Sequence, residues 1–531
     1  MSSLTFSARR GALALSLWLA LSASTLAADV QRGGTLNMII NYEPPALVAL
    51  TTVATPALSV SAKVTEGLLS YNEQLEPQPQ LATSWEVSAD GTRYTFHLRP
   101  EVKWHDGQPF TSADVAWSIE LLKKVHPRGS STFANVTQVA TPDALTAVIV
   151  LSKPAPYLLK AFAAAESPIL PKHLYQDKDP LTNPNNSAPV GTGPYIFEKW
   201  VRGSYVQYKR NPNYWDSTRP YVDRLIIRFV PDAAARSLAF ETGEADLGYR
   251  SPVALSDLKR LKALPQLGFE TRGNSYSHNV SSLQFNLDDA RFKDLRVRQA
   301  VAHALNRDVI RQVAYFGYAK TTASPIAPGI TQYSDPSPSP YGFDLAAANR
   351  LLDEAGYPRG SDGTRFSVTL DYNPIAEDLK KTAEYTRSAL AKVGISVTLR
   401  AQDLSTFVRR IYTDRDFAFT LNGHSNLFDP TVGVQRIYWS KNFRKGVPFS
   451  NASHYHNPEV DRLLEAAQTE NDPVKRVEEF KQFQQIVEHD LPDINLVSPE
   501  FITIYNRRVH DHSVTADGVE GNLSSVWVEQ K

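Results

Sequence analysis

The sequence predicts an α/β fold of about three domains, built partly on an open parallel sheet. Three observations carry that expectation. The chain has 531 residues, 42% of them hydrophobic, enough to fill several cores. Phe366–Leu370 and Ile395–Leu399 read as apolar strands flanking a helix-length segment, about Glu377–Val393, which makes a right-handed βαβ unit. Arg93–Arg99 alternates, with Tyr94, Phe96 and Leu98 on one side and Thr95, His97 and Arg99 on the other, the period of a half-buried strand.

The elements follow in chain order. Met1–Arg10 is largely polar and ends in Arg9-Arg10, Ala12–Leu21 is apolar but for Ser16, and Thr25-Leu26-Ala27 is a small-x-small cleavage site. This three-part pattern is a secretory signal cleaved near Ala27, with an apolar run too short for a bilayer anchor. Gly11-Ala12 takes the place of the bulky apolar pair of a twin-arginine signal. Leu36–Ile40 is a strand ended by the loop Asn41–Pro45. Thr111–Asp114 is a capping-box variant that opens a helix buried along Val115, Ile119 and Leu122. Ala147–Leu151, Tyr205–Lys209 and Leu225–Val230 are strands. Asp294 caps a helix with Val297, Ala300, Val301, Ala304 and Leu305 on one face. Asp344–Gly356 is another helix, with Gly356 as its stop, and Ser334–Pro340 is a surface loop. After the βαβ unit comes a strand at Phe417–Leu421, then a loop, Asn422–Pro430. Open α/β sheets bind ligands beyond the carboxyl ends of their strands, which makes that loop a candidate. Pro473 starts a helix running to about His489.

Composition removes whole classes of function. Lys+Arg and Asp+Glu both number 56, and loss of Arg9 and Arg10 leaves a formal charge of −2, with none of the basic excess of a nucleic-acid binder. The absence of cysteine excludes disulfides, zinc ribbons, Fe–S clusters, a cysteine nucleophile and a lipid-modified N-terminal Cys. A soluble, exported and untethered protein is useful only in an enclosed space, which favours a Gram-negative periplasm. No G-x-S-x-G, H-E-x-x-H or P-loop occurs, and Ser256–Lys259 matches S-x-x-K without the motifs that accompany it in enzymes. His454-Tyr455-His456 and His510-Asp511-His512 have the spacing of metal ligands on one side of a strand but lack partners to close a site, so solvated histidines are expected.

The run from Tyr94 through Trp104-His105-Asp106-Gly107-Gln108-Pro109-Phe110 to Val115 resembles the signature of family 5 extracellular solute-binding proteins, the peptide and nickel receptors of ABC importers. Collinear matches accompany it: Leu81–Glu86, Pro189–Tyr195, Asn211–Trp215, Gly243–Asp246, Phe292–Arg307 and Asn457–Asp461. Most of these residues read as scaffold. Gly191 and Gly193 suit a tight turn with positive φ, Asp106-Gly107 another turn, and Arg298 and Arg307 ion pairs.

The resemblance implies a periplasmic-binding-protein-like architecture of type II, with two lobes closing on a ligand and an extra inserted domain. After a signal peptide at 1–27, lobe I takes residues 28–60, 186–278 and 500–531, lobe II 61–185 and lobe III 279–499. It implies a receptor without catalytic residues, metal or cofactor, acting as a monomer that hands a peptide or peptide-like solute to inner-membrane ABC permease subunits. Tyr42, Glu43, Gly423, His424, Ser425 and Asn426 are the candidate ligand-binding residues. In dipeptide and oligopeptide receptors an Asp four residues before the loop Pro pairs with the peptide's α-ammonium. Here Asn426 stands four residues before Pro430, and Asn cannot neutralise an ammonium, unless Glu43 or Asp429 compensates. The departure opens the same receptor role to a blocked peptide, an opine-like conjugate, a glycoside or a metal chelate, with His424 a candidate to complete a chelate's coordination. The competing class is an exported hydrolase with a carboxylate pair, although no spacing singles out a pair.

Overall fold

The computed structural model describes residues 30–337 and 339–530, so the leader expected over 1–27 lies outside the described residues. Three large sheets organise the chain. A seven-stranded sheet has the order Leu267–Glu270, Thr503–Asn506, Leu247–Gly248, Thr35–Ile40, Arg224–Phe229, Tyr205–Arg210, Tyr195–Val201. In it Thr35–Ile40 runs parallel to both neighbours. A six-stranded sheet has the order Ala319–Thr321, Asp493–Pro499, His278–Phe285, Phe419–Leu427, Phe366–Tyr372, Ile395–Arg400, with the last three parallel. A four-stranded antiparallel sheet holds Ala82–Val87, Arg93–Leu98, Thr146–Leu151 and Val136–Asp143.

Each sheet is buried through the side chains that alternation predicts. Tyr94, Phe96 and Leu98 pack with Ile149 and with Val115, Ile119 and Leu122 of helix Ser112–Val125. Asp114 accepts from the Thr111 N–H at 2.9 Å, which completes the capping box at that helix's start. In the six-stranded sheet Leu283, Leu370, Phe419 and Leu421 face helix Leu295–Ala304 and helix Glu377–Ala391. Asp294 caps the former through the Arg296 N–H, and Phe366–Tyr372, Glu377–Ala391 and Ile395–Arg400 form the βαβ unit.

Three sequence expectations need correction. The strand read at Phe417–Leu421 is Phe419–Leu427, so Asn422–Leu427 is strand, not loop. A polar run reads as loop from sequence, but here polar residues face polar ones across the ladder, Asn422 opposite Ser282 and Ser425 opposite Asn279. Neither Gly191 nor Gly193 has positive φ; a Cβ at either would collide with the Val64 carbonyl, so close approach demands the glycines. Arg298 and Arg307 bond to carbonyls rather than carboxylates, Arg298 to Asp490 at 2.7 Å and Arg307 to Asn495 at 2.8 Å.

The end of the Phe419–Leu427 strand is pinned from below. Asp429, fully buried, caps the turn Pro430–Gly433 through the Thr431 N–H and accepts two bonds from Arg476, at 2.7 and 2.9 Å. Arg476 belongs to helix Pro473–Asp490 and also donates to Ala467 at 2.7 Å and to the Tyr333 hydroxyl. Burial alone would raise the Asp429 pKa; the Arg476 charge outweighs it and holds the carboxyl below its ordinary value. Arg476→Met strands a buried carboxylate and should cost about 3–5 kcal/mol at neutral pH, read as a lower urea midpoint. Because the folded pKa of Asp429 is depressed, the pair's contribution is complete above the unfolded value of about 3.9 and fades as pH falls through the folded one. The gap between variant and wild type should therefore narrow in acid.

Candidate functional site: a cleft between two sheets

Parallel strands from two sheets aim their carboxyl ends at one another. Thr35–Ile40 runs out into Asn41 and Tyr42, and Leu247–Gly248 into Tyr249 and Arg250. Opposite them, Phe366–Tyr372 runs out toward Pro374 and Ile375, and Ile395–Arg400 toward Asp403 and Leu404. These residues, with Val53–Pro56, Ser59 and Phe449, line a cleft of about 910 Å³. The position obeys the rule for open α/β sheets. Tyr42 and Ile375 are about half exposed, at 53% and 55%, leaving apolar surface for a solute to cover. Its polar groups are few. The Ser59 and Tyr249 hydroxyls bond to each other, and Tyr249 donates to Glu520 at 3.2 Å. Asp403 caps the helix Leu404–Val408, accepting from the Thr406 N–H at 3.0 Å and its hydroxyl at 2.7 Å.

The six sequence candidates are dispersed. Tyr42 lines the cleft. Glu43 accepts from the Gly203 N–H at 3.0 Å and lies 3.8 Å from Arg202. Gly423 and Ser425 share one face of their strand and His424 and Asn426 the other. A Cβ on Gly423 would meet nothing within 4 Å, so open space lies beside it. The Ser425 hydroxyl bonds that of Ser277 at 2.6 Å. His424 is buried with no partner for either ring nitrogen, and burial, then the charge of Arg436, pulls its pKa down to about 3, so the ring is neutral. Asn426 is buried and accepts from the Ala327 N–H at 2.6 Å, while Asp429 is committed to Arg476.

Sequence reading missed Arg250, Ile375, Leu404, Phe449 and Arg436. Arg250 and Ser251 have φ of +54° and +56°, in the left-handed region, and the Arg250 guanidinium lies 3.9 Å from the centre of the Phe501 ring. Arg436 sits in the short helix Gln435–Tyr438 and donates to the carbonyls of Gly433 at 3.1 Å and of Phe449 and Ser425 at 3.4 Å. Burial, then the neighbouring Arg128 charge, lowers its pKa to about 10, so it remains a cation. The one available sequence signal was a lone cation inside the otherwise uncharged run Val432–Tyr438. Of the histidines expected to be solvated, His454 and His456 are exposed, His510 is half-buried and His512 is buried. His454 stacks on Phe443 at 3.8 Å and bonds Asp288, and His510 stacks on Trp527 at 4.0 Å and bonds Glu529. His512 lies 3.1 Å from Glu270.

The profile of bacterial extracellular solute-binding proteins, family 5 middle, matches residues 76–445. A provisionally named ABC transporter peptide-binding protein of Brucella ovis is 32% identical over 449 residues, 80% of this chain and 80% of the relative. The crystal structure of NikZ from Campylobacter jejuni in complex with Ni(L-His) superposes with a TM-score of 0.79 at 26% identity, covering 91% of this chain and 96% of that one. The binding protein AgaA of A. tumefaciens R10, in complex with agropinic acid, gives a TM-score of 0.77 at 27% identity, covering 94% and 99%.

Asn426→Asp tests the local geometry. The new carboxylate keeps an acceptor for the Ala327 N–H but gains no cation, so it should destabilise the fold by about 1–3 kcal/mol at neutral pH. Burial raises the folded pKa of such an Asp, so the penalty is present at neutral pH and disappears as pH falls toward the unfolded value. Urea melts at neutral and acidic pH read it; an undiminished midpoint at neutral pH would mean that position 426 finds a cation or solvent.

Proposed function

The chain belongs to the bacterial extracellular solute-binding proteins of family 5, and from that premise we propose that it is the receptor of an ABC importer. It captures a peptide or peptide-like solute in the cleft and delivers it to inner-membrane permease subunits. The observation that carries the reading is the cleft itself, bounded by carboxyl ends of parallel strands from two separate sheets. A solute touching both walls binds the closed arrangement better than the open one, so it selects closure. The seven-, four- and six-stranded sheets support a division into lobe I (28–60, 186–278, 500–531), lobe II (61–185) and lobe III (279–499). The chain passes between the two walls in short segments, after Glu270 and after Pro499, which are the candidate hinges.

A non-peptide solute, such as an opine-like conjugate, a glycoside or a metal chelate, is the second reading. It is favoured by the engagement of Asn426 with Ala327 and of Asp429 with Arg476, which leaves neither for an α-ammonium. A hydrolase gains less support, since Asp403, the carboxylate lining the cleft, caps a helix. The receptor needs no cofactor, performs no chemistry and works as a monomer. Its place is the periplasm, reached by cleavage near Ala27; no helix among the described residues is long and apolar enough to cross a membrane.

Native mass spectrometry of protein purified from its host should find a small solute retained intact. Added at a hundred times its Kd, that solute should stabilise the fold by about 2.7 kcal/mol and contract the small-angle scattering profile. A tightly bound solute that leaves the profile unchanged would refute the trap. N-terminal sequencing of the mature protein should begin near Ala28, and a start at Met1 would refute export.

A further inference from the structure

A second pocket lies apart from the cleft and shares no lining residue with it. It holds about 130 Å³, close to the roughly 150 Å³ that takes up a benzene-sized molecule. Three parts of the chain wall it: Ser70 and Gln80, the pair Tyr214-Trp215, and the C-terminal stretch between Asp511 and Ser525. Its charges are mostly negative. Asp216, Asp511 and Asp517 line it against one cation, Arg219, which is already 3.6 Å from Asp216. His512 also lines it, but burial pulls the pKa of that ring down to about 4 and leaves it neutral.

Asp517 has no partner in the fold. Its Oδ1 is closed to solvent and meets no donor, and among the described residues no cation lies within ion-pair distance of it. The groups packed around it are committed elsewhere. Lys63 donates to the carbonyls of Val519, Glu520 and Gly521, Tyr71 to that of Leu159 and Tyr276 to that of Lys160. Burial, then the Glu520 charge, push the Asp517 carboxyl up to about 7; Lys63 pulls against them and Glu73 adds to them. A carboxylate enclosed without a counter-ion is costly, and an arriving cation relieves that cost. Other lining groups leave acceptors and apolar surface free. Gln80 gives its amide N–H to Glu66 at 3.1 Å and keeps its oxygen as an acceptor. Tyr214 and Trp215 spend their polar ends on Glu66 as well, which leaves ring surface to the pocket. No group of three His, Asp or Glu among the described residues is placed to hold a metal ion.

We propose that this pocket is a second binding site, for a small primary ammonium compound, with Asp517 taking its charge, Gln80 accepting a further N–H, and the Tyr214 and Trp215 rings covering its carbon chain. The site is separate from the cleft, so the inference stands independently of the receptor reading. An ammonium brings three donors, and aromatic faces attract its charge. Bound there, it ties the C-terminal stretch to Gln80 and to Tyr214-Trp215, and so stabilises the folded state by mass action. Proton and ammonium compete for Asp517, so binding strengthens as pH rises through about 7. Lys63, lowered to about 7, and Glu520, raised by burial, each lose a proton as pH rises; both losses make the surroundings more negative and keep the same sign.

Titration calorimetry on the full mature chain, in a buffer free of primary amines, tests the site. The probes are ethylammonium and ethanolammonium chlorides, with ethanol and ethylene glycol as neutral counterparts and potassium and calcium chlorides as inorganic cations. The ammonium compounds should bind saturably, with Kd in the millimolar range or below. Their affinity should be about tenfold higher at about pH 8 than at about pH 6, because Asp517 passes from mostly protonated to mostly ionised between them. The alcohols and the inorganic cations should give no saturable heat. Asp517→Asn keeps the shape, removes the charge and should weaken ammonium binding about tenfold or more. Ser70→Trp fills the pocket and should abolish binding; it carries the test if Asp517→Asn fails to fold. No saturable binding of either ammonium compound, equal binding of an alcohol or an inorganic cation, undiminished binding in either variant, or weaker binding at the higher pH would each overturn the proposal.

Discussion

The junction between the six-stranded and four-stranded units depends on the buried pair Asp429–Arg476. Asp429 ends the strand Phe419–Leu427 and starts the next turn, and Arg476 anchors that turn to helix Pro473–Asp490. With the turn fixed, Gly433 packs against the Asn426 backbone with no room for a Cβ, and Asn426 meets the Ala327 N–H. Arg436 follows on the next short helix, held against the carbonyls of Gly433, Phe449 and Ser425. The pair satisfies the condition that makes a buried ion pair tolerable. Both carboxylate oxygens and most of the guanidinium find partners, so neither charge is left exposed to a low dielectric.

The same turn ties two cores together. Phe428 and Val432 leave the six-stranded sheet to pack in the core of the four-stranded one, and Tyr276, from the segment joining the walls, stacks on Phe428 at 5.2 Å. A second polar node does similar work at the other junction. Glu66, fully buried and without a cation, accepts from the Tyr214 hydroxyl at 2.8 Å, Thr192 at 2.9 Å, Gln80 at 3.1 Å and the Trp215 indole. Burial raises its pKa while these donors oppose the rise. Four donors on one carboxylate join the strand-to-turn segments of the seven- and four-stranded units without needing a charge partner.

Electrostatics then divides the cleft from the scaffold. In the scaffold, acids and bases meet in pairs or on caps, as Asp294 and Asp114 do. In the cleft, Asp403 caps a helix and Arg250 rests on the Phe501 ring, and the lining around them is largely apolar. That combination suits a solute that covers apolar area and whose contact with both walls shifts the protein toward closure.

The sequence by itself determined the units of this protein and much of its helix chemistry. Alternation at Tyr94, Phe96 and Leu98, the capping box at Thr111, the cap at Asp294 and the βαβ unit at Phe366–Arg400 are local patterns, settled by neighbours within a few residues. The motifs quoted from Leu81 to Asp461 identified the family for the same reason, because they encode turns and caps that repeat in order. Only the tertiary structure brought the cleft lining together. Asn422–Leu427 reads as a loop until His278–Phe285 supplies its ladder, and only the fold brings the Asn426 oxygen to the Ala327 N–H. Arg250, Ile375 and Leu404 carry no local signal. They meet because strands distant in sequence run parallel and end at one place, which the chain brings together only when folded.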